Sequence, residues 1–265
     1  MKILMVGDVV GSPGRRVFKD VVRRLREENA VHAVVVNGEN AAAGNGITVA
    51  LADELLKAGA DAVTLGDHVW GQKDLEATIG AEKRLLRPAN FPAGTPGQGC
   101  VTVQTALGPL TVVNLLGRVF MNPIDCPFRA MDALLNTLPR NAPILVDFHA
   151  EATSEKIAMG HYLDGRVTAV VGTHTHVQTS DAVILPKGTA YLTDLGMTGP
   201  AHSVIGREIA PVLKKFTTGI PARFEVASGP CVLEGAMLEL DRISGKAVSI
   251  TPYRYREPTG AIAMQ

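Results

Sequence analysis

The sequence predicts an α/β protein: a parallel sheet built by its first third, and a second sheet supplied by hairpins further on. Two observations carry this. Three strand-then-helix units follow one another from the N-terminus, and almost every strand in them is apolar throughout, the pattern of strands covered on both faces by crossover helices. After residue 100 the chain turns to β-rich runs punctuated by Gly, Pro and Asp, which suits hairpins.

The elements follow in order. "KILMVGD" reads as a short buried strand, and "GRRVFKDVVRRLREEN" as a helix with Val17, Phe18, Val21, Val22 and Leu25 at helical spacing. "VHAVVVNGEN" with "TVALADELLKAGA" repeats that unit, and "ADAVTLGDHVW" with "GQKDLEATIGA" repeats it again. "GCVTVQTALGPLTVVNLLG" holds two β-runs joined by a turn at Gly108 and Pro109, an antiparallel hairpin. "CPFRAMDALLNTLP" reads as a helix, and "APILVDFHA" and "VTAVVGTHTH" as two strands that end in histidine. "DAVILPKGTAYLTDLG", "PCVLEGAMLELD" and "AVSITPYRYRE" are expected to complete the second sheet, with a helix in "SVIGREIAPVLKKF". One domain over residues 1–265 is expected, with 258–265 a loose tail.

Composition narrows the function. Lys+Arg and Asp+Glu balance at 26 each, so no global field draws in nucleic acid, and any anion specificity must be local. The opening "MKILMVGDVVG" is interrupted too early for a signal peptide or a membrane span, which points to a cytoplasmic protein without a membrane partner. Cys100, Cys126 and Cys231 are far apart and odd in number, fitting neither a disulfide framework nor a zinc site. "GDVVGSPG" is not a dinucleotide fingerprint, since its glycines are misspaced and Pro13 interrupts them; no Walker lysine or GxSxG elbow is present.

What stands at the carboxyl end of each proposed strand is more informative: Asp8; Glu39 and Asn40; Asp67 and His68; His149; His174 and His176. Ligands of open α/β sheets bind at that edge. One such group capping a helix is ordinary, but five strand ends in succession are not. Carboxylates mixed with imidazoles and one amide suit zinc, manganese or iron better than calcium or magnesium. The set is larger than one ion needs, so two ions sharing a bridging carboxylate are expected, a site suited to phosphoester hydrolysis. His174 and His176 point to one side if extended geometry continues past the strand. His68 follows Asp67 directly and faces elsewhere, making it a general acid for the leaving alkoxide or, alternatively, a partner that orients substrate or Asp67.

"GDVVG", "NGEN", "GDHVW", "DFHAE" and "GTHTH", in this order, resemble the motif ladder of the calcineurin-like metallophosphoesterases. "NGENAAAGNGIT", "NLLGRVFM", "FHAEATSEK" and "TDLGMTGP" resemble, within it, the YmdB-type bacterial 2′,3′-cyclic-nucleotide 2′-phosphodiesterases. The resemblance implies a four-layer αββα sandwich of two mixed sheets flanked by helices. It implies two metal ions, iron or manganese with zinc as the alternative. Asp8, Asn40 and His176 would complete one ion and Asp67, His149 and His174 the other, with Glu39 bridging and His68 the proton donor. Val10 stands where the superfamily usually has a histidine, Glu39 replaces the usual bridging aspartate, and Asp67 the usual asparagine.

The expected activity is metal-dependent hydrolysis of a small phosphoester, a cyclic nucleotide, by a metal-bridging hydroxide. The alternatives are a phosphomonoesterase or protein phosphatase on the same core, or a regulatory RNA-associated protein with structural metals. Against the last stands the lack of a basic stripe. Trp70, Phe120 and Phe148 are the aromatic candidates for base recognition, and Arg87, Asn90 and Arg118 for phosphate. No pattern specifies an oligomeric state; a homo-oligomer is the working expectation.

Overall fold

The computed structural model describes residues 1–139, 142–241 and 243–258. The tail expected from Pro258 lies outside them, Pro258 itself excepted. The first half runs β1 (Lys2–Val6), β2 (Asp8–Val9), α1 (Gly11–Glu27), β3 (Ala33–Asn37), α2 (Val49–Lys57), β4 (Ala62–Thr64), α3 (Leu75–Thr78) and β5 (Leu85–Leu86). Then come β6 (Cys100–Thr105), β7 (Gly108–Leu116), α4 (Pro127–Leu135), β8 (Ile144–His149), α5 (Thr153–Leu163) and β9 (Ala169–Thr173). The chain closes with β10 (Val183–Ile184), β11 (Ala190–Leu192), β12 (Met197–Pro200), α6 (Ile209–Thr218), β13 (Cys231–Leu240) and β14 (Ala247–Arg256).

Two mixed sheets result. The first has the order β2-β12-β13-β1-β3-β4-β5, with β14 on the other side of β13; the second runs β10-β11-β9-β8-β7-β6. β1, β3 and β4 are parallel neighbours, and so are β7, β8 and β9. Period-two alternation builds the layers. Ile3 and Met5 of β1 turn inward onto Leu110, Val112, Leu145 and Val171 of the second sheet. Leu4 and Val6 turn outward beneath Val17, Phe18, Val21, Val22 and Leu25 of α1, the five positions whose spacing marks that helix. Met131 of α4 and Met159 and Leu163 of α5 cover the far face of the second sheet. The molecule is thus a helix–sheet–sheet–helix sandwich, the architecture the resemblance implies. Among the described residues no helix is long and apolar enough to cross a membrane.

Two expectations need correction. β13 and β14 belong to the first sheet, not the second, because β13 lies antiparallel to β1, with Met5 opposite Ala236. Their alternating pattern marks strands but carries no information about which sheet receives them. The segment "GQKDLEATIGA" forms one α-turn and a short 3₁₀ turn in place of a full helix. A helix not anticipated, α5, covers the second sheet; its buried side includes Glu155 and Lys156, so the apolar period that signals a helix is broken.

The parallel strands of both sheets end on the same side of the sandwich, and the chemically distinctive residues stand there.

Candidate metal centre

Asp8 sits where β1 changes partners. Gly7 still donates its N–H to the Glu234 carbonyl, after which Asp8 and Val9 pair with β12. Only glycine fits at position 7, since a Cβ there would lie 2.0 Å from the Gly196 carbonyl oxygen. Asp8 is buried; its Oδ2 accepts the His174 N–H at 3.2 Å, and its Oδ1 has no hydrogen-bond partner. After β3, Asn37 Oδ1 accepts the Glu39 N–H at 3.1 Å, an Asx turn that swings Glu39 and Asn40 across the strand ends. After β4, Gly66 allows close approach: a Cβ there would lie 2.2 Å from His149 Cδ2 and 2.3 Å from Glu39 Oε2.

These loops bring the acidic and imidazole groups together. One donor atom each from Glu39, Asp67, His149 and His174 lies within 4.8 Å of the others. His149 Nε2 is 3.1 Å from Asp67 Oδ1 and 3.2 Å from Glu39 Oε1, and His174 Nδ1 is 3.0 Å from His149 Nε2. On the other side of Glu39, His176 Nε2 lies 3.1 Å from Asn40 Oδ1 and 4.0 Å from Asp8 Oδ1. His68 Nδ1 is 2.9 Å from Glu39 Oε1, and its partly exposed ring stands at the edge of the cluster.

Whether these residues fit a cation is decided by their hydrogens. Thr173 Oγ1 donates to Asp147 Oδ1 at 2.7 Å, so it accepts from His149 Nδ1 at 2.8 Å, which leaves a lone pair on Nε2. His176 Nδ1 donates to the Ile205 carbonyl at 3.1 Å, so its second nitrogen also presents a lone pair inward, and His174 Nε2 lies 3.1 Å from Glu151 Oε2 while its Nδ1 faces the cluster. The His149 and His176 lone pairs therefore face acceptors across about three ångströms, beside the carboxylates of Glu39, Asp67 and Asp8, the last with an unpartnered oxygen. Such an arrangement asks for cations, and outward N–H groups held by oxygen atoms are how metal-ligating imidazoles are oriented. The residues fit metal ions.

Without a cation, the same crowding moves protons. Burial, together with the Glu39 charge, pushes the Asp8 carboxyl up to about 7 against the pull of His149. Burial also pushes Glu39 upward, but His149 and the hydrogen bond from His68 overcome it and bring Glu39 down to about 2. Burial lowers His149, yet Glu39 and Asp67 outweigh it and hold this imidazole well above its ordinary value. The hydrogen bond to Glu39 raises His68, and burial lowers His176.

The "THTH" turn departs from the expected geometry. β9 ends at Thr173, and His174 and His176 have φ of 101° and 63°, so both imidazoles reach the site through left-handed residues and not through strand alternation. Thr175 holds the turn by donating its N–H (3.1 Å) and Oγ1 (2.7 Å) to Asp194, which is buried against Lys156 Nζ at 2.7 Å. Sequence reading missed this pair, and also Asp147 beneath His149, which accepts from Thr64, Thr173 and Asn37 (3.1 Å). The signal for Asp147 was its place two residues before His149, on the same side of β8. Several other candidates are engaged within the fold. Arg87 spends its donors on the carbonyls of Pro96, Pro88 and Thr95, and Asn90 braces Leu116 and Asp125. Phe148 is fully buried, and Trp70 packs edge-on against Phe91. The three cysteines are free thiols.

Similarity to known proteins agrees with this geometry. The YmdB-like protein family model matches residues 4–253. A 2′,3′-cyclic-nucleotide 2′-phosphodiesterase of Bacillus subtilis is 49% identical over 251 residues, covering 94% of this chain and 95% of its own. A hypothetical protein of Thermus thermophilus superposes with a TM-score of 0.91 at 44% identity, covering 97% of this chain and 100% of its own. A phosphatase of Mycoplasma pneumoniae superposes with a TM-score of 0.89 at 35% identity, over 97% and 93%. With its metallophosphoesterase sandwich and a cluster of metal-competent side chains at the sheet ends, the chain belongs to the YmdB-like family.

Proposed function

We propose that this protein is a metal-dependent phosphodiesterase that opens 2′,3′-cyclic nucleotides at the bond between phosphorus and the ribose 2′ oxygen. The convergence of three imidazoles and three carboxylates at the strand ends is the observation that carries the reading, and the name of the Bacillus relative supports the substrate class.

Two ions, iron or manganese with zinc as the alternative, would be held by this chain's own groups: one by Asp8, Asn40 and His176, the other by Asp67, His149 and His174, with Glu39 serving both. Bound there, such ions supply positive charge for the phosphoryl oxygens and the acidity that makes water nucleophilic near neutral pH. Three carboxylates against two divalent ions leave the pocket about one positive charge, which admits a phosphate anion.

His68 supplies the proton. Its Nδ1 is fixed by Glu39 at 2.9 Å, and its ring is partly exposed at the edge of the cluster. Held this way, the imidazolium can donate to the departing ribose oxygen. Glu39 thereby joins the acid to the metal ligands in one hydrogen-bonded unit.

The test is hydrolysis of 2′,3′-cyclic AMP by the purified protein before and after chelation, with the product identified by phosphorus NMR. Metal-dependent release of the 3′-monophosphate is expected. Turnover of phosphomonoesters alone would transfer the reading to a phosphomonoesterase on the same core, and unchanged turnover after complete metal removal would overturn it.

A further inference from the structure

Beside the metal centre lies a cleft of about 730 Å³, within the range that holds a small organic ligand. Its wall includes His68, Asn45, Gln72, Arg207 and Phe224, and among the described residues His68 is the one group common to the cleft and the metal cluster. From this sharing we infer that the cleft is the nucleoside subsite, with Phe224 as the stacking surface for the base and the Asn45 and Gln72 amides at its edge.

The inference rests on the phosphodiesterase reading and follows from connectivity. A proton donor must come within about 2.6–3.2 Å of the oxygen it protonates. That oxygen belongs to the ribose, and the base is attached one carbon away from the carbon that bears it. A ribose touching His68 therefore has its base within one sugar's width of His68, where the cleft opens.

The cleft is built in advance. Arg207 donates to the carbonyls of Ala43 (3.1 Å), Gly44 and Phe224 (3.1 Å), joining the loop that carries Glu39, Asn40 and Asn45 to the segment that carries Phe224. Gly44 has φ of 82°, and a Cβ on it would lie 2.4 Å from Arg207 Nη1, so this clamp requires glycine. Two residues before Arg207, the Ile205 carbonyl holds His176, which ties the same wall to the metal ligands. Gln72 Nε2 donates to the Asn45 carbonyl at 2.7 Å, leaving the Gln72 carbonyl oxygen and the Asn45 amide as hydrogen-bonding groups for a base. This gives "NGENAAAGNGIT" a purpose beyond its two metal-competent residues. Lys215 covers one face of the Phe224 ring at 5.1 Å, so stacking uses the other.

Phe120 is the rival surface. It is 88% exposed, holds φ of 63° on the loop after β7, and does not line the cleft. The experiment compares the metal-loaded wild type with Phe224→Ala, Asn45→Ala and Phe120→Ala. It measures kcat/KM for 2′,3′-cyclic AMP relative to methyl p-nitrophenyl phosphate, a diester with no base and a leaving group that needs no proton. Calorimetric binding of adenosine 3′-monophosphate is read independently of turnover. Phe224→Ala is expected to lower the ratio roughly 5- to 150-fold, the span of base–aromatic stacking, through KM, with a matching loss of nucleotide affinity. An unchanged ratio, or a fall confined to Phe120→Ala, overturns the subsite. If the wild type fails to turn over the cyclic nucleotide, the phosphodiesterase reading fails, and binding alone decides the cleft. Nucleotide affinity that Phe224→Ala removes upholds the subsite, and no affinity in the wild type overturns it.

Discussion

The Lys156 ammonium lies 2.7 Å from the Asp194 carboxylate, and both side chains are sealed from solvent behind the turn that presents His174 and His176. Asp194 accepts three further hydrogens, from Thr175 N, Thr175 Oγ1 and Gly196 N. The pair thus fixes the residue between the two histidines, each of which adopts a left-handed conformation that side chains disfavour.

Lys156→Met should therefore act twice. It strands a buried carboxylate, which costs roughly 3–5 kcal/mol in denaturant-measured stability. It also loosens the turn, weakening metal affinity by about 10- to 100-fold, as loss of ligand-orienting groups does. The double variant Lys156→Met/Asp194→Asn should recover part of the stability but not the affinity. Unchanged metal binding in both variants would remove the positioning role.

His68→Ala should keep its metal content while kcat on a cyclic nucleotide falls about 10²- to 10⁴-fold, the usual contribution of a general acid. Hydrolysis of methyl p-nitrophenyl phosphate, whose leaving group needs no proton, should fall much less. Elemental analysis showing lost metal in this variant would make His68 a ligand.

Gly66→Ala places a methyl against His149 and the Glu39 carboxylate, at 2.2 and 2.3 Å. Overpacking of this kind costs roughly 1–3 kcal/mol. Because the atoms displaced belong to the metal cluster, activity and metal stoichiometry should fall further than a change in melting temperature alone would account for. A variant with full metal content would show that the cluster tolerates this displacement.

The metal-free protein should lose stability as pH rises. Asp8, held up to about 7, binds its proton more tightly folded than unfolded, so its contribution is present at low pH and is lost as pH climbs from about 4 toward 7. His149, held above its ordinary 6.5, contributes in the same sense, its share fully present below 6.5 and lost as pH rises through its folded value. Glu39, lowered to about 2, runs the other way, but its contribution is fully present above the 4.5 of a free carboxyl and is lost only as pH falls toward 2, so it does not change between pH 5.5 and 8. Melting temperatures of chelated protein should be lower at pH 8 than at pH 5.5, and metal loading should abolish that slope. A chelated protein more stable at pH 8 contradicts the assigned protonation.

How far the sequence exposes this depends on what each residue packs against. The strands β1, β3 and β4 are legible because runs such as "AVVVN" are apolar on both faces, and α1 is legible because its five buried residues keep a helical period. The residues proposed as ligands stand out in the sequence because each lies at or just after the carboxyl end of an apolar run, and the structure gathers Glu39, Asp67, His149 and His174 among them into one cluster. α5 is not: its buried Lys156 and Glu155 serve Asp194 and the N–H groups of Arg118 and Val119, and a helix that buries charge has no apolar stripe. The placement of β13 beside β1 is equally hidden, since register depends on contacts with the opposite end of the chain. The left-handed backbone at His174 and His176 depends on Asp194, about twenty residues away, and no local pattern reveals it.

Titrating manganese into chelated protein while following both bound metal and 2′,3′-cyclic AMP turnover shows whether hydrolysis depends on ions held at the strand ends. Activity should be absent at the start, rise with binding, and saturate at two ions per chain. Substantial turnover with no ion bound, or saturated binding with none, would contradict it.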